Sequence, residues 1–235
     1  MNQILCLAII CLLVVGIIPF AISAAASSNS LNIFPPGAKP YGLSYPEHIE
    51  NWWTWVFETP AKDNPMNDET GEKCSNGQLK NSSVFYLINN NGGASERTCK
   101  VPVGKGLLIP VMQVAMSEAE VPGASDEELA ESAKKDQDSV NSLYLKIDDK
   151  EYKYENLTKY RTDTEPFTVN IPPKAAYGIE RPGPSKAVAD GYYIITEPLT
   201  TGNHTIHFKS SLICSEPDCA EPNFVQDIKY NIIAE

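Results

Sequence analysis

The chain has 235 residues, 42% hydrophobic and 21% charged, with 19 Lys and Arg against 30 Asp and Glu for a net charge of −11. That composition can bury a core, which excludes a disordered chain. The acidic balance excludes a nucleic-acid binder, since phosphate contacts need clustered Lys and Arg.

The first charged side chain is Lys39. Ile4 to Ala26 is almost unbroken apolar sequence, interrupted by Pro19 and Ser23 and ending in Ala24-Ala25-Ala26. An apolar run followed by small residues reads as a secretory signal peptide, so residues 1–26 are assigned to one. The competing reading is an uncleaved N-terminal anchor, because a run of about 20 apolar residues also spans a bilayer. Both readings place the body outside the cell or on its surface, and only an uncleaved segment would touch the membrane. Cys6 and Cys11 lie inside the run and read as apolar filler. Residues 27–43, with Ser, Asn, Gly and prolines, read as a tether.

Residues 44–235 form the body, expected to be a single domain. Ser44-Tyr-Pro-Glu47 is a capping box that starts a helix. Ile49, Trp52, Trp53 and Val56 share one face of it, which leaves Trp55 off the stripe and partly exposed. Pro60 stops the helix, and residues 61–82 form a long polar loop pinned by Cys74. Strands are expected at 84–88, 98–101 and 106–111, with a turn at 89–93. An acidic helical insertion spans 117–140, its helix capped by Ser125 and Glu128. Leu143, Leu145 and Ile147 alternate with polar neighbours, as do Phe167, Val169 and Ile171, and Ile228, Tyr230 and Ile232. Asp148-Asp149 makes a turn into 151–154. Residues 172–189 show no pattern and read as a loop, followed by strands at 191–196 and 205–208. Many short strands and two convincing helices predict a mainly β fold: a disulfide-stabilised β-sandwich with an N-terminal helix and an acidic helical insertion.

Four cysteines lie beyond the signal: Cys74, Cys99, Cys214 and Cys219. An even count in an exported chain points to two disulfides. Three pairings are possible, and Cys74–Cys99 with Cys214–Cys219 is favoured because each couple shares a region rich in turn residues. Asn81, Asn156 and Asn203 open N-x-S/T sequons, which makes the protein a candidate glycoprotein.

Four blocks carry a resemblance. They are Trp52-Trp-Thr-Trp55 running on to Asn64-Pro-Met-Asn-Asp-Glu-Thr-Gly-Glu-Lys-Cys74, then Arg97-Thr-Cys-Lys-Val-Pro-Val-Gly-Lys105, Asp190-Gly-Tyr192, and Gly202-Asn-His-Thr-Ile-His-Phe208. Together, over most of residues 44–210, they resemble a family of uncharacterised exported prokaryotic β-rich proteins. The resemblance implies a secreted, two-lobed β-rich module and no catalytic assignment.

The chemistry on offer is sparse. There is no G-x-S-x-G elbow, and Ser132-Ala-Lys-Lys135 lies in a charged helix without a K-T-G partner. A cysteine nucleophile needs a free thiol near a His, and the cysteines are assigned to bridges. His204 and His207, three apart on a strand, point to opposite faces and do not chelate one ion together. No cofactor is expected, with Ca²⁺ the exception. Asp63, Asn67, Asp68, Glu69 and Glu72, with Asn64 among them, gather hard oxygen ligands in one loop, though not at EF-hand spacing. A glycan hydrolase would need two carboxylates at a set separation, for which Glu58 and Asp63 beside Trp55 are the alternative pair. The favoured reading is a surface or envelope module with no catalytic role. Its partner would be a polysaccharide or another surface protein, and Trp55 is its candidate binding ring.

Overall fold

The computed structural model describes residues 31–213 and 223–235. Cys214 and Cys219 lie outside them, as does the N-terminal apolar run. Three longer helical segments, α1 (Tyr45–Glu58), α2 (Asp126–Asp138) and the single turn α3 (Tyr154–Leu157), accompany ten strands. In chain order these are β1 (Val84–Tyr86), β2 (Gly93–Val101), β3 (Gly106–Ser117), β4 (Val140–Ile147), β5 (Lys150–Lys153), β6 (Arg161–Asp163), β7 (Phe167–Ile171), β8 (Gly183–Ile195), β9 (Gly202–Ile213) and β10 (Asn223–Ala234). The fold is mainly β, as expected, and its strands form two packed five-stranded sheets. The first runs β1-β3-β8-β6 with β7 also on β8, and the second runs β2-β10-β9-β4-β5.

The two sheets meet over a continuous apolar core that includes Val111, Met112, Tyr193, Phe208, Ile228 and Tyr230. Polar contacts at a bulge also join them. β3 is bulged against β8 between Pro110 and Met112, which takes Val111 out of the ladder. Its freed carbonyl accepts Ser210 Oγ and Gln226 Nε2 from the opposite sheet, each at 2.8 Å. Gly191 sits beside this bulge, and a Cβ there would come within 2.6 Å of Gln113 Cβ and the Met112 carbonyl oxygen. The Asp190-Gly-Tyr192 block thus has a packing reason at its centre.

Both capping boxes form: Ser44 with Glu47 opens α1, and Ser125 with Glu128 opens α2. Helix α1 is buried on far more than its apolar stripe. Trp52 Nε1 donates to the Leu87 carbonyl at 2.8 Å, and Trp53 Nε1 to Tyr193 Oη at 2.8 Å. Trp55, expected to be partly exposed, is only 4% exposed. The 61–82 loop folds back over that side of the helix, and Trp55 Nε1 donates to the Asn76 carbonyl at 2.9 Å.

Other expectations shift in the same way. Residues 31–43 do not behave as a tether: Phe34 N donates to the Ile195 carbonyl, and Tyr41 Oη to the Thr196 carbonyl, both close to 2.9 Å. Strand β8 begins at Gly183, inside the segment read as loop, because β7 pairs with residues 183–187. Strand β2 begins at Gly93 and pairs in parallel with β10 along its whole length. Strand β3 continues to Ser117, so the insertion starts as sheet.

The Cys74–Cys99 disulfide forms as expected, with Cα atoms 5.8 Å apart. It fastens the long loop to β2, and Arg97 does the same work two residues earlier. Arg97 is 1% exposed and has no carboxylate partner within salt-bridge distance among the described residues. Its Nε donates to the Asp68 carbonyl at 2.6 Å. Its Nη1 donates to the Ile88 carbonyl at 2.9 Å, the Asn89 carbonyl at 3.2 Å and Tyr230 Oη at 2.8 Å, and its Nη2 reaches the Met66 carbonyl at 3.4 Å. Replacing it strands several buried acceptors at once, each costing about 1–3 kcal/mol. Arg97→Ala is therefore expected to lower the unfolding free energy by at least about 3 kcal/mol in urea titration. Arg97→Lys, lacking the planar fork, should recover only a minor part of the loss.

Candidate functional site

The oxygen-rich loop is a hydrogen-bonded structure in its own right. Asn64 is fully buried: Nδ2 donates to the Val56 carbonyl at 2.8 Å and Oδ1 accepts from Met66 N at 3.0 Å. Asp68 Oδ1 accepts from Thr70 N at 3.0 Å and Thr70 Oγ1 at 2.9 Å, while Oδ2 accepts from Lys73 N at 2.7 Å. Gly71 (φ +96°) presses on β2, where any Cβ would collide with the Thr98 backbone. The other candidate ligands are not gathered around Asp68. Asp63 lies near Lys62 at 3.7 Å, Asn67 Nδ2 reaches the Ala61 carbonyl at 3.4 Å, and Glu69 and Glu72 are exposed. Among the described residues no group of three or more His, Cys, Asp or Glu is placed to hold a metal ion.

The alternative catalytic pair is likewise separated by its bonding. Glu58 is exposed at the end of α1, and its Oε1 accepts from Asn170 N at 2.9 Å. Trp55, the candidate binding ring, is buried with its ring edge-on to Trp52 and tilted against Tyr86. Two grooves of about 800 Å³ mark the surface, and neither is lined by Glu58, Asp63 or Trp55. The sequon residues Asn81, Asn156 and Asn203 are all exposed.

The first groove, about 810 Å³, runs between α2 and strands β6 and β8. Its charges satisfy one another. Arg161 grips the buried Asp190 through Nε at 3.0 Å and Nη2 at 2.7 Å, and its Nη1 holds Asp138 at 2.6 Å. Asp138 also takes Lys134 one helical turn back at 2.5 Å. This lattice ties α2 to the sheet.

The second groove, about 770 Å³, lies on the second sheet, where β4, β9 and β10 meet the 200–203 segment and the Asp148–Asp149 turn. Strand alternation decides what faces it. His204 points inward and is 6% exposed, with Nδ1 2.8 Å from Asp148 Oδ2 and Nε2 3.0 Å from the Thr200 carbonyl. Asp148 adopts φ +50° at the head of the turn, and its Oδ1 accepts from Thr205 N at 2.7 Å. His204 and Asp148 thus fix the rim of the groove. His207 takes the outer face, as the odd spacing predicted, with Nε2 2.7 Å from Asp227 Oδ1 and its ring edge-on to Tyr144 at 5.6 Å. Asp227 also holds Lys209 at 2.8 Å.

The register puts Lys229 opposite His207 on one side and Lys146 opposite it on the other. Among the described residues neither ammonium has a carboxylate within 4.0 Å. Sequence reasoning missed this pair. The alternation that sent Leu145 and Ile228 inward was enough to place both lysines outward, but their meeting over His207 depends on long-range register.

No protein-family model matches the chain, and no curated protein matches it. Solved structures similar to it include a cysteine protease inhibitor, EhICP2, from Entamoeba histolytica, at 12% identity over 65% of this chain and 96% of that one, with a TM-score of 0.24. Another is Amebosin, at 14% identity over 63% of this chain and 95% of that one, with a TM-score of 0.19. At such TM-scores neither bears on the fold or the activity of this chain.

The loop yields a pH prediction. Burial pushes the Asp68 carboxyl up, but hydrogen bonds from Lys73, Thr70 and Gly71 together outweigh it and hold the pKa below the ordinary carboxylate value. A depressed folded-state pKa stabilises fully above the unfolded value of about 3.9 and is lost as pH falls through the folded one. Asp68→Asn is expected to cost about 1–2 kcal/mol at pH 7. It should also flatten the acid limb of the stability profile below about pH 4, read by urea unfolding at stepped pH.

Proposed function

We propose that the protein is a secreted or cell-surface β-sandwich module that acts by binding, without catalysis, in the cell envelope or outside it. The observation that carries this reading is the open outer face of the second sheet, where the groove over His207 is lined by hydroxyls, amides, the ammonium groups of Lys146 and Lys229 and the carboxylates of Asp148 and Asp149. A framework disulfide between Cys74 and Cys99 agrees with an oxidising compartment. No helix among the described residues is long and apolar enough to cross a membrane. Residues 1–26 would then act as the export signal, and membership in the exported prokaryotic family belongs to the same proposal.

The alternative, a carboxylate-based glycan hydrolase, draws no support from the placement of Glu58 and Asp63. Their carboxylates engage Asn170 N and Lys62, and the ring meant to roof them is buried. Calcium binding and glycan attachment at the sequons stay outside the reading, since no feature of the fold calls for either.

The test is affinity gel electrophoresis of the full exported chain through gels containing plant and bacterial polysaccharides, with a reducing-end assay on the same mixtures. The expected result is retardation by at least one polymer with no release of reducing ends. Release of reducing ends would instead favour the hydrolase. Intact mass would report whether residues 1–26 are removed.

A further inference from the structure

Helix α2 is fastened to the rest of the protein by little apolar surface. Of its 13 residues only Leu129, Ala133 and Gln137 are buried. Leu129 and Ala133, with Val188 of β8, are the three buried apolar side chains among the described residues that fall outside the continuous core. They make a satellite patch of their own, so the helix can leave without opening the space between the two sheets. The third buried residue opposes docking. Gln137 is 1% exposed, and neither its Oε1 nor its Nε2 has a hydrogen-bond partner among the described residues. Water reaches both atoms once the helix moves away, so burying this amide weakens the closed position.

What holds the helix down is largely ionic. Lys186 Nζ of β8 meets Asp126 Oδ2 in the first turn at 2.8 Å. Arg161 Nη1 meets Asp138 Oδ1 at 2.6 Å, and its Nη2 donates to the Lys134 carbonyl at 3.1 Å. Arg161 also grips Asp190 on the neighbouring strand, a contact within the sheet that does not need the helix. Exposed pairs such as Lys186 with Asp126 are each worth little and weaken with salt.

The connections at the two ends differ. After the helix, Ser139 leads straight into β4, whose Val140 belongs to the core. Before it, Val121 is 48% exposed, and Gly123, at φ +85°, has nothing within 4 Å of where a Cβ would stand. The helix is thus pinned at its C-terminal end and unencumbered at its N-terminal end, where Lys186 is the catch. We infer that α2 is a salt-latched flap that lifts off the first sheet as a unit while both sheets stay folded. The helix forms one wall of the first groove, so lifting it widens that groove and uncovers Val188. This motion goes beyond the binding reading above and does not depend on it.

The experiment is native-state hydrogen exchange on the full exported chain. A detached helix of 13 residues does not persist in water, so lifting α2 releases its amides. The expected result is one shared rate for the amides of residues 129–138, at least about tenfold faster than for residues 191–195, which pair with β3. Raising sodium chloride from about 0.01 M to about 1 M cuts the reach of exposed charges from about 30 Å to about 3 Å, and should speed exchange in α2 alone. Lys186→Gln should speed it about threefold. Gln137→Leu, which removes the unpaired amide at similar volume, should slow it about fivefold or more, and Gln137→Met should act in the same direction. Near-UV circular dichroism of each variant checks that the fold is kept.

Exchange of α2 at the rate of residues 191–195 would overturn the inference, because the helix would then open only with the whole domain. A gradient of rates from the helix ends, indifferent to salt and to Lys186→Gln, would overturn it in favour of fraying. Faster exchange in both Gln137 variants would mean that the amide holds the helix down, which overturns it as well.

Discussion

A guanidinium with no counter-carboxylate among the described residues holds one side of this molecule together. Burying a charge is costly unless its donors are all engaged. Arg97 meets that demand with backbone carbonyls from two separate stretches, Met66 and Asp68 on the long loop and Ile88 and Asn89 after β1, together with the hydroxyl of Tyr230. The Tyr230 hydroxyl in turn donates to the Ile88 carbonyl at 2.6 Å. One side chain thereby sets the distance between loop, first sheet and second sheet. The Cys74–Cys99 bridge, two residues along the same strand, closes the loop covalently where the guanidinium closes it by hydrogen bonds.

The resemblance blocks acquire a shared physical meaning from this arrangement. Asp68, Thr70, Gly71 and Cys74 from one block meet Arg97, Thr98 and Cys99 from the next. The carboxylate caps the loop, the glycine permits contact with β2, and the arginine collects the carbonyls. Trp55 belongs to the same assembly through its bond to Asn76, and Asn76 Nδ2 in turn donates to the Asp63 carbonyl at 3.0 Å. What reads in the sequence as ligand-rich and sugar-binding is a clamp.

Local signals were legible and long-range ones were not. The capping boxes at Ser44 and Ser125 announced helices α1 and α2, because a capping box is contained in four consecutive residues. Alternation along 143–147 and 228–232 placed the inward side chains and separated His204 from His207. The burial of Trp55 was hidden, since the helix stripe cannot report a loop that folds over its other side. Strand β8 was hidden from Gly183 onward because Gly183 and Pro184 look like loop residues. They are strand only through pairing with β7. Asp68 looked like a metal ligand because composition counts oxygens without showing that backbone amides already occupy them. The lysine row over His207 needed the register of three strands, two of which, β4 and β10, are far apart in the chain.

The parallel pairing of β2 with β10 also orders events in time. Every neighbour that β2 has within its sheet is supplied by β10, which is made late in the chain. While synthesis proceeds, β2 is a nine-residue edge whose arginine lacks its tyrosine and whose backbone donors lack a strand. The second sheet therefore cannot close vectorially from its N-terminal end. A chain interrupted before Asn223 keeps that edge open and presents it to any strand that will add to it, including its own copies.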